Sequence, residues 1–61
     1  MANLTGKELS ALEDQLGFEQ VLCCKYQAAS QQATDADLKS KFQQCADQHK
    51  QNYTGLMNYL K

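Results

Sequence analysis

Four residues of this 61-residue chain combine reactive side chains with suggestive spacing: Glu19, Cys23, Cys45 and His49. Glu19 to Cys23 and Cys45 to His49 are both i,i+4 pairs, so on helices each pair occupies one face. Set opposite each other, the two pairs offer a carboxylate, two thiolates and an imidazole, a donor set for tetrahedral Zn²⁺. The same residues allow simpler chemistry. Glu19 and His49 can form a buried hydrogen bond or ion pair that fixes helix register. Cys23 and Cys45 can close a disulfide, provided their Cα atoms lie within about 6.8 Å, a limit that facing helix positions often exceed. A Cys45–His49 nucleophilic pair is a further option. It is disfavoured, because both residues fall inside helical pattern with no Gly-rich oxyanion loop nearby. Phosphate-cradling and EF-hand loops are also absent from the sequence.

The elements that would position these residues are helices. The chain has no Pro, no Trp, no Ile and a single Val (Val21), while Leu, Ala, Gln, Lys and Glu dominate. That composition is all-α. Thr5 and Glu8 make a capping box, flanked by Leu4 and Leu9 at the positions of a hydrophobic staple. The first helix is expected from about residue 6 to 32. Its apolar seam is Leu9, Leu12, Leu16, Glu19, Cys23, Tyr26 and Ser30, with spacings alternating 3 and 4. Phe18 and Leu22 widen that stripe toward a bundle-type face. Asp35 is the expected N-cap of the second helix, with Asp37 in the first turn where the helix dipole favours an anion. This helix is expected from about 36 to 60, with a seam of Leu38, Phe42, Cys45, His49, Asn52 or Tyr53, Leu56 and Leu60. Gly17 and Gly55 fall mid-helix, as tolerated breaks or points of close approach. The connection at about 33–34 is short, so the helices form an antiparallel hairpin and a single domain spanning 1–61.

A turn centred near residue 34 gives opposed positions a constant index sum of about 68. The layers then read Leu12 with Leu56, Leu16 with Asn52, Glu19 with His49, Cys23 with Cys45, and Tyr26 with Phe42. The two polar interruptions of the seams thus meet each other, one layer from the two cysteines. Cys24 falls off the seam as a surface residue or an intermolecular cross-link site. Tyr26, Tyr53 and Tyr59 are expected at the core edge with their hydroxyls in water.

Composition excludes several function classes. The net charge is −1 and all six basic residues are Lys, which argues against a nucleic-acid partner. Mean hydropathy is −0.63, and no apolar run approaches the ~18 residues of a membrane span. The opening Met1-Ala2-Asn3-Leu4-Thr5 lacks the basic and apolar regions of a signal peptide, so synthesis in the cytoplasm is expected. Three Cys is an odd number at spacings unlike a secreted disulfide framework, which fits a reducing compartment. Two helices of this length touch along one line and leave wide apolar faces wet. A homodimer pairing two hairpins into a four-helix bundle is therefore expected.

The chain resembles the short spore coat proteins of the coat F type, small ferritin-like proteins of endospore-forming bacteria. The resemblance is carried along nearly its whole length. It rests on Leu4-Thr5, Lys7-Glu8-Leu9, Leu12-Glu13-Asp14, Leu16, Glu19-Gln20, Leu22, Lys25-Tyr26, Ala29, Asp35, Leu38-Lys39, His49, Tyr53, Leu56 and Leu60. It implies a ferritin-like helical fold and a non-enzymatic structural role in the spore coat or in sporulation, with other coat proteins as partners. It also implies an alternative, a ferritin-like metal-binding or redox protein. Such proteins use a Glu on one helix and Glu-x-x-His on the next. Glu19 and His49 match the first Glu and the His, but Ala46 stands where the second Glu would be. No dedicated cofactor is expected. The candidate metal ligands, for Zn or Fe, are Glu19 and His49, together with Cys23 and Cys45, which enter on spacing alone and not through the resemblance.

Overall fold

The structure is a computed structural model and describes residues 4–60. Helix α1 spans Gly6–Gln32 and helix α2 spans Ala36–Met57, followed by a short 3-10 turn, Asn58–Leu60. The two helices pack against each other as an antiparallel hairpin, elongated to 46 × 16 × 11 Å. Among the described residues there are no strands.

The helix starts follow from side-chain capping. The Thr5 hydroxyl accepts from the Glu8 backbone N–H at 3.1 Å, and the Glu8 carboxylate accepts from the Thr5 N–H at 3.0 Å. Two donors that helix geometry leaves without partners are thereby satisfied. Asp35 caps α2 by accepting from the Leu38 N–H at 2.9 Å. Between the helices only Ala33, Thr34 and Asp35 lie outside helical structure. Ser30, buried at the end of α1, donates its hydroxyl to the Lys39 carbonyl at 3.2 Å and so ties the turn shut.

The interior is a single seam. From α1 it takes Leu12, Leu16, Glu19, Leu22, Cys23, Tyr26 and Ser30; from α2 it takes Phe42, Ala46, His49, Tyr53 and Leu56. Among the described residues, only Leu16 and Ala46 are buried apolar residues, and Ala46 alone has no accessible surface. Several expected seam positions stand elsewhere. Leu9, Leu38 and Leu60 are exposed, each near an end of the hairpin and at the edge of the face that meets the other helix. Cys45 is exposed and its neighbour Ala46 takes the inner place, with none of its surface accessible. The spacing allows either: Phe42 to His49 divides as 3 and 4 through Cys45, or as 4 and 3 through Ala46. The smaller side chain lets the two backbones come close, which decides between them. The regular α2 helix also stops at Met57 rather than running on to Leu60, its last turn tightening into 3-10 form. Gly17 and Gly55 face open space, so neither is reserved for helix approach within the hairpin.

Candidate functional site

The polar centre of the hairpin is built on Glu19. Its backbone position on α1 places the carboxyl in the seam, where the side chain is nearly closed to solvent. His49 of α2 donates from Nδ1 to Glu19 Oε2 at 2.6 Å. Asn52, one turn further along α2, reaches the same oxygen from Nδ2 at 3.3 Å. Gln15, four residues before Glu19 on α1, donates from Nε2 to Oε1 at 2.9 Å. Both carboxylate oxygens are thus held, Oε1 by a donor from α1 and Oε2 by two donors from α2.

Aromatic rings frame one side of this cluster. The Tyr26 ring stacks on the His49 imidazole, with centroids 5.7 Å apart and planes within 6°. It also stacks on Phe42 at 6.1 Å and 24°. The Tyr26 face limits how the imidazole can rotate, and the carboxylate fixes which nitrogen carries the proton. With Nδ1 donating, Nε2 of the neutral ring is left as an acceptor.

The electrostatics favour an ionised carboxylate. The hydrogen bond from His49 holds the Glu19 carboxyl below its usual range; burial pushes the other way and is outweighed, and Gln15 and Asn52 add to the lowering. Hydrogen bonding to the charged form is the dominant cause.

Of the four candidate ligands, the fold joins two. Glu19 and His49 are in direct contact. Cys23 is half-buried and Cys45 is exposed; both are free thiols, as is the exposed Cys24. The disulfide option is therefore not realised. Among the described residues, no group of three or more His, Cys, Asp or Glu side chains is arranged to hold a metal ion. The expected layer of Cys23 with Cys45 is replaced by the inward turn of Ala46, and a Zn site built on both thiols is not assembled. Among the described residues no hydrogen bond joins Cys45 to His49, so a thiol–imidazole nucleophile is not formed either.

Sequence spacing pointed to the Glu19–His49 contact but missed the other members of the cluster. Gln15 was visible as the i−4 neighbour of Glu19, and Asn52 as the i+3 neighbour of His49. Asn52, expected in a layer with Leu16, reaches Glu19 with its side chain. A side chain able to donate, set one turn from a buried acid, is the signal that would have found both. The chain matches no protein-family model, and neither a curated protein nor a solved structure shows significant similarity to it.

Proposed function

We propose that the protein is a non-enzymatic structural and assembly protein, working as a homodimer in which two hairpins form a four-helix assembly. The observation that carries this reading is the imbalance of its apolar surface. Leu9, Phe18, Val21, Leu38, Met57, Tyr59 and Leu60 are exposed, whereas among the described residues only Leu16 and Ala46 are buried apolar ones. Scattered exposed apolar side chains are ordinary on a large domain. On a two-helix chain they outnumber the core, and such a core is too small to offset the conformational entropy of folding. Association with a second hairpin removes part of that surface from water and adds to the core.

The polar cluster supports a structural role. Glu19 already accepts from His49, Asn52 and Gln15. A carboxylate so occupied aligns helices; it is poorly placed to exchange protons with a substrate. The resemblance to coat F proteins suggests the setting, assembly into the spore coat beside other coat proteins. Sedimentation velocity at micromolar concentration under reducing conditions tests the reading. The expected species has twice the 6.9 kDa chain mass. A folded monomer would overturn it.

A further inference from the structure

The outward side of α1 carries a second stripe that the hairpin does not use. Ala11, Asp14, Phe18, Val21, Lys25, Ala28 and Gln32 recur at spacings of 3 and 4, and every one of them is exposed. At 3.6 residues per turn this stripe lies on the side of α1 away from the seam that meets α2. Phe18 and Val21 at its centre each leave 64% of their surface in water.

The order of residues along the stripe is self-complementary. Run antiparallel to a copy of itself with a constant index sum of 39, the stripe sets Phe18 against Val21, Asp14 against Lys25 and Ala11 against Ala28. Each pairing occurs twice, as a two-fold axis requires. It also matches the alternating a-with-d layers of an antiparallel coiled coil, because Phe18, Lys25 and Ala11 share one heptad position and Val21, Asp14 and Ala28 the other. The centre is bulky and apolar, the next layers are oppositely charged, and the outer layers are small enough for backbones to approach.

The charges support the same pairing. Asp14 has Ser10, Ala11, Gly17 and Phe18 at its i±3 and i±4 positions, and Lys25 has Val21, Leu22, Ala28 and Ala29. Neither therefore has an opposite charge at ion-pairing distance along its own helix. Among the described residues, no Lys lies at ion-pairing distance from an Asp or Glu. An Asp and a Lys set symmetrically about an exposed Phe–Val centre are left to meet their opposites on another molecule.

We infer that α1 docks through Ala11, Asp14, Phe18, Val21, Lys25 and Ala28 onto the same face of a second copy of this chain, antiparallel and two-fold symmetric. The dimer is then a four-helix layer with the two α1 helices in the middle and an α2 on each flank. This rests on the homodimer reading above and specifies its contact face and register.

Charge reversal tests it. Asp14→Lys alone sets Lys against Lys across the axis twice, and Lys25→Glu alone sets acid against acid twice. Each variant should dimerise about 10-fold or more weakly than the unaltered chain, from two lost attractions and two new repulsions. An equimolar mixture of the two variants restores opposite charges in every such layer. It should recover tight dimers that native mass spectrometry identifies as mixed. Far-UV circular dichroism at protomer concentrations high enough to drive dimerisation should show both variants helical, since both positions are exposed and neither change breaks the hairpin itself. A dimeric unaltered chain whose affinity is indifferent to both reversals overturns this contact face and leaves the homodimer reading standing. Reversals that weaken the dimer without rescue by mixing overturn the register. A monomeric unaltered chain overturns the face and the homodimer together.

Discussion

Replacing Ala46 by Leu, with Cys45→Leu as its neighbour control, measures which face of α2 meets α1. Ala46 has none of its surface accessible, whereas Cys45 is exposed. The larger side chain at 46 has two opposing effects. Burying more hydrocarbon gains about 0.8 kcal/mol per added CH₂ if room can be made. Forced into an enclosed site, the larger side chain is net destabilising by about 1–3 kcal/mol, because displaced side chains and backbone outweigh that gain. The cost should prevail, because Ala46 lies one turn before His49, whose hydrogen bond to Glu19 spans only 2.6 Å. Spreading the helices at residue 46 stretches that contact and exposes a buried carboxylate. A net destabilisation of about 1–3 kcal/mol is expected; at a urea dependence of about 1 kcal/mol per M for so small a domain, the unfolding midpoint falls by about 1–3 M. Cys45→Leu should change stability by less than about 0.5 kcal/mol, as surface substitutions do. Urea titration followed by far-UV circular dichroism, at one fixed protomer concentration, reads both variants. Equal losses at 45 and 46, or a neutral Ala46→Leu, would refute the packing described here.

Tyr26→Ala removes the ring stacked between Phe42 and His49 and should cost about 2 kcal/mol, less than for a fully buried aromatic because Tyr26 is half-buried. Tyr26→Phe keeps the stack and should stay near the unaltered midpoint; comparable losses in the two variants would remove stacking as the cause. Acid titration of stability has a defined sign at Glu19. Its folded value lies below the ordinary 4.5, so its contribution is fully present above that value and is lost as pH falls through the lowered one. Glu19→Gln should therefore flatten the acid limb of the stability–pH curve. Some slope will remain, because Glu8 is lowered too, through its hydrogen bonds with Thr5. An unchanged acid limb in Glu19→Gln would show that the carboxylate does not couple to folding.

Local rules made much of the hairpin legible. Capping residues marked both helix starts, because Thr5 with Glu8 and then Asp35 offer oxygens where backbone N–H groups lack partners. The short turn set the index sum, and with it the meetings of Glu19 with His49 and of Tyr26 with Phe42. What stayed hidden is what periodicity cannot resolve. Cys45 and Ala46 both satisfy a 3/4 repeat, and hydrophobicity favours the thiol, while the interface selected the smaller side chain. Periodicity along one seam also says nothing of the opposite face, so Phe18 read as a widening of the α2-facing stripe. It lies with Val21 on the outside of α1.

Ala46 also explains why the polar cluster is better understood as a register device than as a reduced metal site. A Glu at that position would complete the Glu-x-x-His pattern on α2, yet the site is fully enclosed where the helices approach each other. A carboxylate there would need the helices to separate, and would set a second negative charge near Glu19. The oxygens of Glu19 are instead occupied by neutral amides and an imidazole from both helices. Sliding α2 by one turn would carry His49 and Asn52 away and leave a buried carboxylate with only Gln15 to bond it. That penalty falls on misaligned hairpins and not on the aligned one, which is how a buried polar group specifies structure even where it adds little stability. With α2 held in one register by its inward face, the outward face of α1 is left open for the contact that we propose between one hairpin and the next.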